Sequence, residues 1–532
     1  MTRLHHLFGT AVMLCALGAM AAEAPRVAND GHHANLVVDG KPFLILGGEL
    51  HNSTASDAAT LAPVFARLAA AHLNTVLLPV YWEQMEPQPG HFDFTQIDAA
   101  IEAARANRLR LGVLWFGSWK NGMSGYAPEW IKRDASRYPR MTGDNGLPVE
   151  VLSTFSENNF HADRDAFVAL MRHLRERDAV QQTVLLVQVE NEVGLIGSRR
   201  DRSAAADAAF RAPVPQKLID ELKAQLPAST VWNGKTHGSW SELFGDSADE
   251  WFMAWQYASY IGGIAEAGKH EYALPMFVNA QLPAPFERAG EYPSGGPHPA
   301  NLPIWRATAK ALDFAAPDIY WPDFELWCQR YKEQGMPLLI PEARGGDTAA
   351  VNALFALGEA GAIGFSPFAI DDLKDNSDPI AQSYATLEAL LPEILAARSA
   401  GGSGARVLHE NSPRASRTLA LGGYLFRSEL AREWSTGALQ AKDGAVLVIA
   451  TAPDEFLVAG IGLRVTVARD ADAGPGIAGL ASVDEVTRSA AGWKTLRRMS
   501  GDENNQGRTL LFPAHEFAIF RVRMYTTPVT GR

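Results

Sequence analysis

Cysteine is nearly absent: the 532 residues hold two, Cys15 and Cys328. Cys15 sits in an N-terminal apolar run expected to be removed, and a lone Cys328 can form neither an internal disulfide nor a thiolate metal site. Positive charge is also short, with 48 Lys and Arg against 60 Asp and Glu and a formal net charge of -12. A nucleic-acid partner would want a clustered basic surface, so none is expected, and a neutral substrate fits better than a polyanion. There is no His-Glu-x-x-His, and the 14 histidines are scattered, so no metal and no cofactor are expected. No Gly-x-Ser-x-Gly elbow occurs, which removes a serine-hydrolase reading. Gly460-Ile-Gly462 is two glycines of a dinucleotide fingerprint and reads as a turn. Internal repeats and low-complexity tracts are lacking too.

Long apolar runs are missing as well. The N-terminal run from Leu7 to Met20 falls short of the roughly 20 residues needed to span a bilayer. Arg3 precedes it and Ala19-Met-Ala21 closes it, the pattern of a secretory signal peptide over residues 1–21, cleaved after Ala21. The residue before Cys15 is Leu14, not the small residue a lipidation site prefers. The alternative is an N-terminal anchor. Cleavage implies a periplasmic or secreted protein with no stable membrane insertion afterwards.

What is present describes a folded chain: 47% hydrophobic and 20% charged residues. From Phe43 onward, short β-rich apolar runs alternate with Ala-rich helical patterns. The runs are Phe43–Gly47, Thr75–Val80, Leu109–Trp115, Val184–Val189, Pro275–Val278, Pro317–Trp321, Pro337–Ile340 and Ala362–Pro367. Continuous apolar strands alternating with helices mean a parallel sheet covered on both faces. The repetition over residues 30–398 predicts an α/β fold, a (β/α)₈ TIM barrel. An open doubly wound sheet is the alternative, but it should carry a phosphate turn after the first strand, and Gly47-Gly48-Glu49 is not one. After a helix ending near Arg398, Gly401-Gly-Ser-Gly404 reads as a loop or hinge. Alternating runs then predict a C-terminal antiparallel β-sandwich domain over 405–526: Thr418–Phe426, Ala445–Thr451, Phe456–Val467, Thr509–Phe512 and Phe517–Tyr525.

Two of the barrel runs end in carboxylates. Thr183-Val-Leu-Leu-Val-Gln-Val-Glu-Asn-Glu192 closes the fourth and Met336-Pro-Leu-Leu-Ile-Pro-Glu342-Ala-Arg344 the seventh. Residues just past the strand ends line the active face of such a barrel. Two carboxyls aimed there suit cleavage of a glycosidic bond, one protonating the leaving oxygen and one at the anomeric carbon. Arg344 is a cation able to keep Glu342 ionised. Strand alternation would point Asn191 and Glu192 to opposite faces, so both reach the cleft only if the strand twists or bulges there.

Val189-Glu-Asn-Glu192-Val-Gly194 is similar to the acid/base motif of glycoside hydrolase family 35, the β-galactosidases. Its Asn-Glu pair is shared by the wider clan of retaining barrel glycosidases, family 42 included. Tyr81-Trp-Glu83-Gln-Met-Glu86-Pro-Gln-Pro-Gly90-His-Phe-Asp-Phe94 looks like the clan's loop after strand two. The resemblance covers about residues 34 to 525. It implies a retaining exo-β-galactosidase with Glu192 as acid/base and Glu342 as nucleophile. Asn191 would bind the sugar 2-hydroxyl, and Tyr320 would donate to Glu342. Glu49, in Gly47-Gly48-Glu49-Leu-His51, would accept bonds from sugar hydroxyls. Trp115 is a candidate to stack on the pyranose face or to pack in the core, and Asn279 a candidate hydroxyl ligand. Ser294-Gly-Gly-Pro-His298 reads as an active-face loop without an assigned role. Trp115-Phe-Gly-Ser-Trp119-Lys120-Asn121 departs from the Ala-Glu-Trp that animal-type members use to bind galactose. The chain looks closer to compact bacterial members with one C-terminal β-domain, which trim galactose from xyloglucan fragments. The implied partner is a β-galactoside oligosaccharide; the oligomeric state is open. Other sugar specificities of the clan, such as arabinoside, fucoside or glucoside, are the alternative, as is a barrel that binds carbohydrate without turnover. The C-terminal domain, with Trp434 and Trp493 forming no evident platform, is expected to brace the barrel.

Overall fold

The computed structural model describes residues 23–29, 34–226 and 235–528. The leader expected at 1–21 lies outside the described residues. Among them, the barrel sheet has nine hydrogen-bonded segments, in the order Leu339–Ile340, Gly364–Phe365, Ile45–Glu49, Thr75–Tyr81, Arg110–Lys120, Val184–Asn191, Met276–Gln281, Phe314–Ile319 and Glu342–Ala343. The first and last are halves of one strand. Pro341 stands between them and has no N–H to give the ladder, so nine segments make eight strands. One half pairs with Gly364–Phe365 and the other with Phe314–Ile319, both in parallel. Continuity through Pro341 therefore closes the ring.

Strands buried end to end, such as Thr75–Tyr81 and Phe314–Ile319, explain the unbroken apolar runs. An outer helix follows each strand, as the Ala-rich patterns indicate, among them Ala58–Ala70, Glu157–Asp178, Ala248–Glu271 and Asp347–Gly358. One boundary moves. The stretch Pro303 to Phe314 reads as helix and the next strand as starting at Pro317, yet the helix ends at Thr308 and the sixth strand starts at Phe314. Alanine's helix propensity is worth only tenths of a kcal/mol, about 0.5, and the gap in the barrel outweighs it. A small antiparallel sheet (Arg26–Asn29, Ala34–Val38, Lys41–Phe43) precedes the barrel. It borders the end where strands begin: Arg110 pairs with Asp39 at 2.8 Å, and Gln182 Nε2 donates to the Glu23 carbonyl.

Beyond Arg398 the described chain forms two antiparallel sheets, six strands and four. Two runs that read as single strands are each two. Ser416–Leu421 and Tyr424–Leu430 turn at Gly422-Gly423, and Glu455–Ile461 and Leu463–Arg469 turn at Gly462. Gly462, at φ 66°, passes the chain from the six-stranded sheet to the four-stranded one. Ile477–Ser489 and Gly492–Arg498 were not legible, the first mixing apolar and polar residues without a clean alternation and the second being largely polar and exposed.

The six-stranded sheet is apolar on both faces. Val446 and Val448 enter the sandwich core with Phe456 and Phe520, while Ala445, Leu447 and Ile449 belong to the core that includes the barrel. The period of two sorts them. Leu447 presses on the barrel helix at Gly358, where an added Cβ would sit 2.3 Å from its Cδ1. Helix Asp347–Gly358 is buried over Ala349–Gly358 because the sheet covers the side solvent would otherwise meet. Trp493 does not face out as a platform: its indole N–H donates to Glu393 on helix Pro379–Arg398. Truncation after about residue 400 is expected to yield insoluble protein, because it strips the cover from that apolar helix. A soluble, fully active fragment in size-exclusion and activity assays would contradict this bracing role. Among the described residues, no helix is long and apolar enough to cross a membrane.

Candidate active site

The fourth strand breaks its alternation where the acid is needed. Glu190 and Glu192 both adopt left-handed backbone, at φ 63° and 43°, a conformation costing a non-glycine residue on the order of 1–3 kcal/mol. Its pairing with the third strand jumps from Trp115↔Val189 to Lys120↔Asn191. Phe116 to Trp119, four residues opposite Glu190 alone, bulge out and are held by Glu190, whose carboxyl accepts from Ser118 N at 3.1 Å and Trp119 N at 2.7 Å. Glu190 is fully buried beside Asp163, and burial and that neighbour push its carboxyl well above the usual range. With Glu190 turned to this strut, the period of two no longer separates Asn191 from Glu192.

Glu192 directly follows the fourth strand and Glu342 lies on the second half of the seventh, and folding brings them together. One carboxyl oxygen from each of Glu192, Asp318 and Glu342 lies within 4.8 Å of the others. Asp318 on the sixth strand is in register with Glu342. Tyr320, two residues on, donates its hydroxyl to Glu342 Oε1. Burial, with Glu342 next, keeps the Tyr320 proton in place by raising its pKa. Arg344 is exposed, so the donor on Glu342 is Tyr320, not the arginine suggested by sequence.

Glu192 is buried, and desolvation followed by repulsion from Glu342 pushes its carboxyl up to about 8. Lys120 opposes this by its charge, and Asn121 by donating its amide to Glu192 Oε2. Glu49 ends the first strand with both carboxyl oxygens buried and without a protein partner. Burial first, then Glu342, raises it well above the ordinary carboxyl range, with Lys120 opposing. Asn191 likewise has both amide atoms buried and unpartnered. Such atoms cost on the order of 1–3 kcal/mol each unless a ligand or water meets them.

Two candidates take other places. Trp115 is fully buried: its indole N–H donates to Asp163 Oδ1 on the outer helix at 3.0 Å, and its ring packs on Trp82 and Phe167. It is a core residue and offers no face to a sugar. Asn279 is engaged within the protein, accepting from Glu192 N at 2.9 Å and donating to Asp318 Oδ2 at 2.7 Å. It clamps the acids instead of presenting a free amide to a hydroxyl.

Lys120, Asn121 and Asp318 were missed from sequence. The departure at Trp115–Asn121 was the available signal for the first two, and an acid between Pro317 and Ile319 inside an apolar strand for the third. The loop Ser294–His298 gains a role as a buttress. Ser294 and Leu195 exchange backbone hydrogen bonds of 2.9 and 3.0 Å, and Glu250 pins the loop through Ser294, Gly295 and Asn301. Gly194 at φ 145° lies so close to Pro293 that a Cβ would sit 2.3 Å from its carbonyl carbon. Glycine there lets the loop press against the segment carrying Glu192.

One oxygen from each of Glu192, Asp318 and Glu342 is spaced so that a divalent cation could bridge them, and Lys120 brings positive charge to Glu192 and Glu49. What the arrangement can do is protonate a leaving group from Glu192 while Glu342 meets the carbon it leaves.

Among known proteins, the chain is similar to beta-galactosidases. Residues 54–244 match a glycoside hydrolase family 42 model described as beta-galactosidase, a range that includes Glu192 and stops short of Glu342. Residues 380–511 match a model described as a domain of unknown function, DUF5597. A beta-galactosidase of Xanthomonas manihotis is 25% identical over 265 residues, 44% of this chain and 43% of that protein. Beta-galactosidase 11 of Arabidopsis thaliana is 26% identical over 210 residues, 38% and 22% of the two chains. The chain thus spans less than half the length of these curated relatives. Among solved structures, the beta-galactosidase of the psychrophilic Marinomonas ef1 aligns with a TM-score of 0.46 at 14% identity, over 67% of this chain and 60% of that one.

Proposed function

We propose that the chain is a glycoside hydrolase, a retaining exo-β-galactosidase acting on terminal β-galactosyl residues of oligosaccharides, xyloglucan side chains among them, after export to the periplasm or medium. The observation that carries it is the approach of Glu192 and Glu342 to within 4.8 Å, oxygen to oxygen. Retaining enzymes hold their carboxyls about 5–5.5 Å apart, and inverting ones need roughly 6.5–9.5 Å to seat a water.

The cycle uses these residues in two steps. Glu192, kept in its acid form by burial, protonates the glycosidic oxygen as a Glu342 oxygen attacks the anomeric carbon. The C–O bond to the leaving alcohol breaks and a glycosyl ester on Glu342 forms. Glu192, now a carboxylate steadied by Asn121 and Lys120, takes a proton from water. The water oxygen bonds to the anomeric carbon, the ester breaks, and two inversions restore the configuration. Glu49 and Asn191 are positioned to meet sugar hydroxyls. Trp321, half exposed next to Tyr320 and tethered through Nε1 to the Leu282 carbonyl at 3.2 Å, offers the aromatic face that Trp115 does not.

A panel of nitrophenyl glycosides tests the sugar assignment. Galactoside turnover above that of arabinoside, fucoside and glucoside is expected. Turnover of another glycoside above galactoside would reassign the specificity within the clan, and hydrolysis of none would leave a silent barrel. Tyr320→Phe is expected to lower kcat/KM on the best substrate about 10- to 100-fold, the worth of a hydrogen bond to a charged group; an unchanged value would remove Tyr320 from the mechanism.

A further inference from the structure

Asp318 has no part in the two steps above, yet it sits between the residues that do. Its side chain is fully buried. The charges acting on it most strongly are all acidic, Glu342, Glu192 and Glu49, and the phenols of Tyr320 and Tyr331 stand in its field. Lys120 and Asn121 act on the far partner, Glu192. One Asp318 oxygen accepts from Asn279 Nδ2; the other is buried with no protein donor. A carboxyl oxygen of Asp318 lies within 4.8 Å of one of Glu192, and each acid acts on the other's proton. Carboxyls this close resist ionising together, and burial with the surrounding acids holds Asp318 well above the ordinary carboxyl range. Asn279 fixes the geometry from both sides, gripping Glu192 by its backbone N–H and Asp318 by its carboxyl.

We propose that Asp318 is a positioning residue for Glu192: a carboxylic acid, uncharged throughout the cycle, whose O–H donates to the acid/base carboxyl. The proposal rests on the glycosidase reading for the role of Glu192, and for the pair on the approach of the two carboxyls and the Asn279 clamp that holds both. As a donor it aims Glu192 at the leaving oxygen and steadies the carboxylate left after proton transfer. As a neutral group it spares the cleft a further negative charge beside Glu342.

The sign of one pH limb separates the possibilities. Activity that needs Glu192 in its acid form is lost as pH rises through the pKa of that group. Asp318→Asn keeps the shape and a donor and changes no charge if Asp318 is already neutral. Its kcat/KM should stay within about threefold, with the alkaline limb within about 0.3 unit of wild type. Asp318→Ala removes the donor that favours the Glu192 carboxylate. Its limb should move to higher pH, with kcat down about 10- to 100-fold. If Asp318 were charged, Asp318→Asn would remove a repelling carboxylate and move the limb down by about a unit or more, which overturns the proposal. A fall in Asp318→Ala activity with the limb unmoved would make the residue merely structural and also overturns it. Infrared difference spectra of wild type against Asp318→Asn at pH 7 decide the protonation without any substrate. A carboxylic C=O band lost in the variant supports the proposal, and a carboxylate band lost instead defeats it. Should wild type hydrolyse no nitrophenyl glycoside, the glycosidase reading falls while the infrared result still decides Asp318.

Discussion

Glu342→Gln is expected to stop turnover, lowering kcat by about 10⁴-fold or more on any substrate the wild type accepts. The amide fills the same space and still takes the Tyr320 hydroxyl, but it cannot form the glycosyl ester. Binding should survive, because Glu49 and Asn191, the groups left unpartnered for hydroxyls, are untouched. Stability should hold or rise, since Glu342 is the strongest charge acting on Glu49, Asp318 and Glu192. Relief of such crowding is a recurrent way in which active-site substitutions stabilise. Steady-state kinetics and a thermal melt check both halves. A variant retaining a tenth of the activity, or one melting far below wild type, would mean that Glu342 is a structural acid of the barrel rim.

Glu192→Gln is expected to split substrates by leaving group. With a sugar or alkyl alcohol departing, loss of the general acid should cost about 10²- to 10⁴-fold. With a nitrophenolate, which needs no proton to leave, formation of the glycosyl ester should be slowed far less, and its hydrolysis becomes limiting. Azide, a nucleophile that needs no general base, should then accelerate turnover and give a galactosyl azide of retained configuration. The pH profile carries the same information. Burial and Glu342 push Glu192 up to about 8, so wild-type kcat/KM should fall as pH rises through that region, and this limb should vanish in the variant. Equal losses on both kinds of leaving group, with the limb still present, would place the acid elsewhere.

The parts of this site that were legible in sequence share one physical origin. A strand buried on both faces tolerates no charge, so an acid closing such a run marks the place where the strand meets the cleft; Glu192 and Glu342 both stand out on that ground. The eight strands were legible for the same reason, since nothing but continuous apolar sequence fills a parallel barrel. What escaped depends on departures from regular geometry. Lys120 and Asn121 reach Glu192 because four residues bulge out of the third strand, and the strut that holds them, Glu190, looks in sequence like one more polar residue beside Asn191 and Glu192. Asp318 lies inside an apolar strand but next to Pro317, where an acid reads as a turn. Trp115 and Asn279 lie inside strands that read from sequence as ending beside them; one is drawn outward by Asp163 and the other is occupied by Glu192 and Asp318. Strand-end position alone does not tell which side chains are spoken for. In the C-terminal domain the run Ala445–Thr451 was legible as strand, but not that both faces of Asp443–Ala452 are covered, because the barrel takes the place of solvent on one side.

The most direct test of the paired carboxyls is to trap the covalent intermediate. A 2-deoxy-2-fluoro-β-galactosyl fluoride forms the ester readily but resists its hydrolysis, so the wild-type enzyme should gain the mass of one fluorogalactosyl group and lose activity in step. Peptide mapping should find that group on Glu342. A label on Glu192, Asp318 or Glu49, or an enzyme that hydrolyses galactosides yet never accumulates the adduct, would contradict the assignment.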